Sequence, residues 1–75
     1  MNLFKRYSVS VLDGKWETIF PLIKVKYMPR SGELIYLSDK NYYRVINVVH
    51  NINKKHGIFL IVELLGKNPE ELSKQ

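Results

Sequence analysis

Histidine, serine and acidic side chains are the groups in this chain that could do covalent or acid–base work, and their spacing gives them little to work with. His50 and His56 stand six residues apart, one ending a strand-like run and the other in a polar loop. A zinc-type site needs three or four ligands converging at about 2 Å. The chain has no cysteine, so Asp39 or Glu63 would have to complete such a site through tertiary contact. The plainer reading bonds the His50 imidazole to nearby backbone and leaves His56 in solvent. Ser8, Ser10, Ser31, Ser38 and Ser73 fall mostly in turns or at outward strand positions, and no Ser-His-Asp arrangement assembles from them. Glu33 and Glu63 could face each other across a sheet, but without a pocket a carboxylate pair is a solvated edge rather than an acid–base couple. No glycine-rich loop leads into a helix. The chain reads as non-enzymatic, with no metal and no cofactor.

Binding is the better prospect. The formal charge is +5 over 75 residues. Glu70 and Glu71 lie beyond residue 67 against the single Lys74, so residues 1–67 are one charge more basic than the whole chain. Lys5, Arg6, Lys24, Lys26, Arg30 and Arg44, with Lys54 and Lys55 in a loop, could form a phosphate-attracting face. Tyr27, Tyr36, Tyr42, Tyr43 and Trp16 offer rings on which unpaired bases stack. The plain alternative is that lysines alternating with apolar residues keep a strand edge soluble, and that tyrosines serve packing. The competing partner is another protein. Trp, Tyr and Arg are the residue types that dominate protein interfaces, which singles out Trp16 and Tyr36. The unbroken apolar run 58–62, with Phe59 and Ile61, would accept a partner strand if it lay near a sheet edge. Otherwise it is a core strand.

These residues must be positioned by a very small domain. A chain of this length buries roughly 60% of its unfolded surface, so its core is thin. No disulfide can staple it, which leaves an efficient barrel or self-association to stabilise it. The 45% apolar content and nine aromatics argue against disorder. No apolar run near Met1 resembles a signal sequence and none approaches the roughly 20 residues needed to span a bilayer. The expected setting is therefore the cytoplasm, away from membranes.

Periodicity of two dominates the pattern. Tyr7, Val9 and Val11 alternate with serines. Asp13-Gly14 follows, a turn pair in which both residues tolerate positive φ. Ile19, Pro21, Ile23, Val25 and Tyr27 occupy alternate positions, with Lys24 and Lys26 between them facing solvent. Pro21 cannot donate to a ladder and marks the start or edge of that strand. Pro29 and Gly32 break the chain before the strand 34–37. Ser38-Asp39-Lys40-Asn41 has hairpin-loop length. Residues 42–50 are rich in β-branched and aromatic side chains and form a strand. A polar, basic loop covers 51–57, and 58–65 is the last strand. Asn68 as cap, Pro69 at the first helical position and Glu71 completing a capping box predict a short helical turn.

From Leu34 onward the strands are apolar on both sides. Strict alternation sets Ile46 and Val48 against Val45 and Val49, and Leu60 and Val62 against Phe59 and Ile61. An open sheet would leave one side wet. The prediction is therefore an all-β domain over residues 1–67, a five-stranded SH3-like or OB-like barrel or a two-layer sandwich, with a polar helical tail over 68–75. Self-association is the other way to cover the second side.

The run Pro29-Arg30-Ser31-Gly32-Glu33, the strand and polar turn after it, and then Tyr43-Arg44-Val45 and Val48-Val49-His50 resemble small uncharacterised bacterial and phage or mobile-element proteins with an SH3-like or related small β-barrel. The resemblance covers residues 28–65. It implies the fold and carries no established activity. The glycine spacing of ribosomal RNA-binding SH3-like barrels is absent, since Gly32 stands alone. The expected function is a protein-interaction or assembly module with a protein partner or a second copy. The alternative is a single-stranded DNA or RNA binder.

Overall fold

Where β-branched and aromatic residues alternate with polar ones, the chain extends. A computed structural model describes residues 6–55 and 57–67. It contains five strands: β1 (Tyr7–Leu12), β2 (Thr18–Val25), β3 (Leu34–Tyr36), β4 (Tyr42–His50) and β5 (Ile58–Gly66). Lys5, His56 and the expected tail 68–75 lie outside the described residues.

The strands form one sheet in the order β2-β1-β5-β4-β3. β1 and β2 make an antiparallel hairpin, and β3, β4 and β5 an antiparallel meander. The two halves join where β1 runs parallel to β5, with Val9 beside Ile58 and Val11 beside Leu60. The sheet curls into a half-barrel. Val9, Val11, Tyr43, Val45, Leu60 and Val62 are buried on its inner side, and Ile19, Phe20, Ile23 and Val25 of β2 pack on the same cluster as Ile35 and Leu37 from the opposite edge. The all-β, barrel-like expectation is met by one curled sheet rather than by two stacked layers.

Two departures from strict alternation decide which side chains face outward. In β4 a bulge places both Ile46 and Asn47 opposite Ile61. The extra residue resets the parity, so Ile46 and Asn47 both stay on the outer side and Val48 rejoins Val45 on the inner one. In β2 the register slips between Ile23 and Phe20. Phe20 packs inward in place of Pro21, and both Pro21 and Leu22 are exposed. The Ser10 hydroxyl donates to the Pro21 carbonyl at 2.5 Å, which satisfies that oxygen where the ladder is broken. Pro21 therefore sits on an edge strand, where its missing N–H costs no ladder bond within the sheet.

The turns are equally specific. Gly32 has φ 92° and donates its N–H to the Val45 carbonyl at 2.7 Å, carrying the β3–β4 pairing one step past the strand. Gly57 is buried, and a Cβ there would run into the Asn51 carbonyl, which itself lies across the base of the β4–β5 turn. The expected Asp13-Gly14 turn is present, but Gly14 is not its left-handed residue. That role falls to Trp16, at φ 66°.

Leu60 is fully buried at the seam between β1 and β4. Leu60→Ala should cost about 2–5 kcal/mol, a large share of the few to ten or so expected of a chain this size. Gly57→Ala should cost more than about 1 kcal/mol, because the new methyl displaces backbone rather than a flexible side chain. Urea unfolding followed by circular dichroism measures both. An unchanged midpoint for either variant would contradict the packing described.

Candidate functional site

The β1–β2 loop is organised by one carboxylate. Asp13 Oδ1 accepts the N–H groups of Lys15 at 2.8 Å and Glu17 at 3.0 Å. The Asp13 carbonyl accepts the Trp16 N–H at 3.0 Å, and the Asp13 N–H donates to the Glu17 carbonyl at 2.9 Å. This is a tight turn whose last residue must be left-handed, a position that favours glycine or asparagine. Here it is held by tryptophan. A bulky residue at positive φ is strained by about 1–3 kcal/mol, and the Trp16 side chain is 60% exposed.

Trp16 stands over an open groove of about 940 Å³ on the outer side of the sheet. The groove runs along β4 and β5. Ile61, only 6% exposed, and Ile46, at 42%, give it an apolar character. Asp13, Glu17 and Glu63 line it with carboxylates, and among the described residues Lys15 is the one cation that lines it. The outer side continues toward β3. Arg44 Nη1 lies 3.8 Å from Glu63 Oε1, both half-exposed. Beyond them the Tyr36 and Tyr42 rings meet at 4.7 Å between centroids and 49° between planes. Leu34 is exposed alongside.

Of the residues expected at a protein interface, Trp16 and Ile61 line this groove, Tyr36 lies further along the same side, and Phe59 is half-buried at the far end of β5. Ile46, Glu17 and Leu34 were not foreseen. Alternation already sets Ile46 opposite the buried Val45; what the bulge adds is an outward Asn47 beside it and an inward Val48.

The residues expected to bind nucleic acid divide. Arg6 precedes β1, Lys24 lies near the end of β2 and Lys26 just after it, and Lys54 and Lys55 lie in the β4–β5 turn. The strand register places all five at the same end of the sheet. Tyr27, 77% exposed, joins them with Lys26 Nζ 5.9 Å from its ring centroid. The others lie elsewhere. Arg44 is paired with Glu63 on the outer side. Arg30 belongs to the turn before β3, where its N–H donates to Glu33 Oε1 at 2.6 Å. Tyr42 is engaged with Tyr36. Tyr43 is only 4% exposed and belongs to the core, so the expectation that it would offer a stacking ring is corrected: its side chain faces inward with Val45.

Glu33 holds its own turn and Glu63 faces Arg44, so the two do not form a carboxylate couple. His50 is exposed at the end of β4. Among the described residues no three His, Asp or Glu side chains converge as a metal site. No described helix is long and apolar enough to cross a membrane. No protein-family model, curated protein or solved structure matches the chain.

Tyr43 and Asp39 form the best-defined polar contact. The phenol donates to Asp39 Oδ2 at 2.5 Å, while Asn41 donates to the same carboxylate from its backbone and side chain. The Tyr43 bond, followed by the Asn41 bonds, holds the Asp39 carboxyl below its usual 3.8. Burial, then the Asp39 bond and charge, raise the Tyr43 phenol above 10.0. The signs follow from linkage. Asp39 contributes stability above about pH 3.8 that is lost as pH falls through its lowered value. Tyr43 contributes stability below pH 10 that is lost as pH rises through its raised value. Tyr43→Phe should lower the urea midpoint at neutral pH, weaken the acid limb and remove this contribution to the alkaline limb. A pH series of urea melts reads all three, and an unaltered alkaline limb would refute the assignment.

Proposed function

We propose that the chain is a non-enzymatic protein-interaction module that works through the outer side of β4 and β5 and the β1–β2 loop. One observation carries this reading: an exposed tryptophan is held in a strained left-handed conformation at an apolar groove. A fold that keeps strain where glycine would relieve it does so for the side chain presented there. Tryptophan beside an apolar floor is the composition of an interface anchor. The resemblance to SH3-like barrels of bacterial and phage proteins agrees with an adaptor role, and membership of that group belongs to the same proposal.

A second reading has its own support. Arg6, Lys24, Lys26, Lys54 and Lys55 converge at one end of the sheet next to the exposed ring of Tyr27. Single-stranded nucleic acid would be held there by phosphate contacts and ring stacking.

A photo-crosslinking residue placed at position 46 should give discrete protein adducts in cells, and Trp16→Gly should abolish them. The same substitution should leave the urea midpoint unchanged or raised, because glycine accepts the left-handed turn. Absence of any adduct from position 46 would defeat the interaction reading. The second reading predicts that an oligonucleotide of unpaired bases binds with an affinity that falls steeply with salt. The Lys54→Glu/Lys55→Glu variant should lose this binding and Trp16→Gly should keep it. Binding indifferent to salt would exclude phosphate contacts.

A further inference from the structure

The carboxylates of this molecule are sorted along the sheet, and Lys15, Lys40, Arg44 and Lys67 share their end of it. All five carboxylates among the described residues lie in its middle or toward one end. Asp13 and Glu17 are in the β1–β2 loop, Asp39 is in the β3–β4 loop, Glu33 is beside Val45, and Glu63 is beside Arg44. The opposite end, where His50 pairs with Ile58 and Tyr7 with Val25, carries Arg6, Lys24, Lys26, Lys54 and Lys55 and no described carboxylate. An otherwise basic chain thus has a groove lined by three carboxylates and a protruding turn that holds two lysines.

That turn is a built structure. Asn51 N–H donates to the Gly57 carbonyl at 2.6 Å, Lys54 N–H donates to the Asn51 carbonyl at 3.2 Å, and Asn51 Oδ1 accepts the Asn53 N–H at 3.1 Å. Its tip presents Ile52, 92% exposed, together with the exposed Lys54 and Lys55. The groove offers the complementary set: Ile46 and Ile61 for an aliphatic side chain, Asp13, Glu17 and Glu63 for two ammonium groups, and the Trp16 ring for a cation over its face. Glu17 has no side-chain partner among the described residues, and Glu63 meets only Arg44, at 3.8 Å.

We infer that the groove of one copy receives the 51–55 turn of a second copy, so that the chain assembles head to tail. This rests on the reading of the groove as a protein-binding site and names its occupant. The turn projects past His50 off the end of the sheet while the groove runs along the outer side of β4 and β5, and Ile52, 92% exposed, does not enter the groove of its own copy. Two different patches meet, so the contact is heterologous, and repeating it gives a ring or a filament rather than a closed dimer. The lysine–carboxylate contacts sit at a solvent-exposed rim and weaken with salt.

Sedimentation velocity on nuclease-treated protein at low salt tests this. The average mass should rise with concentration and fall back as salt is raised. Ile52→Glu removes the turn anchor and leaves the groove; Ile46→Lys removes the groove and leaves the turn. Each variant alone should stay monomeric, with affinity about tenfold or more weaker. Mixed in equal amounts, the two should form a one-to-one dimer and stop there, because each supplies the patch the other lacks. Trp16→Gly serves as the groove variant if Ile46→Lys does not fold. Wild type that remains monomeric at every concentration would overturn the inference. So would variants that fail to complement, or assembly that disappears with nuclease. A monomeric wild type that still crosslinks from position 46 to a protein of different mass would overturn head-to-tail assembly alone. The interaction reading would survive that result.

Discussion

The parallel contact between β1 and β5 holds this molecule together. Among the described residues it is the only strand pairing that joins the N-terminal hairpin to the C-terminal meander. It places Val9 and Val11 against Ile58 and Leu60, and through them against Val45 and Val62. Neither half buries an apolar side without the other, since an isolated hairpin is marginal in water. The residues that meet there are about fifty positions apart in the chain, so the entropy of closing that loop is spent before the core rewards it. Curling follows from the same contact. Once the two halves share one sheet, its twist brings β2 and β3, the two outer strands, over a common cluster.

Much of the architecture was legible because local chemistry and tertiary need agreed. Alternating Val, Ile and Tyr marked β1, β4 and β5 within a residue of their observed limits, and Pro29 with Gly32 marked the break before β3. Tyr43 was legible as core by its parity with Val45, and reading it as a stacking ring gave too much weight to its residue type. The bulges were not legible. An extra residue in β4 or β2 is a property of how one strand fits its neighbour, and nothing in Val45-Ile46-Asn47 announces it. Ile46 faces away from Val45 by simple alternation, whereas the inward turn of Val48 was hidden by the bulge. Trp16 was visible as an aromatic near a turn, but Asp13-Gly14 offered the backbone a cheaper left-handed position that the folded loop does not use.

The two outer strands are poor templates for further pairing. β3 is three residues long. β2 is interrupted by Pro21 and two register shifts and carries Lys24. Short, bulged and charged edges resist sheet-to-sheet addition. Of the exposed apolar side chains, Trp16, Ile46, Leu34 and Tyr36 lie on the broad outer side of the sheet or in the loop above it, while Leu22 sits on β2 itself and Ile52 at the tip of the β4–β5 turn.

The direction of β1 and β5 has a mechanical consequence. Because they run alongside each other in the same sense, the start of β1 at Tyr7 and the end of β5 at Gly66 point to opposite ends of the sheet. Tension applied through those two points loads the seam in shear, and the hydrogen bonds along its four registered residue pairs must give way together. An antiparallel arrangement would open like a zipper, one bond after another. This small domain, which has no cysteine to form a bracing disulfide, therefore resists best a pull along its own chain.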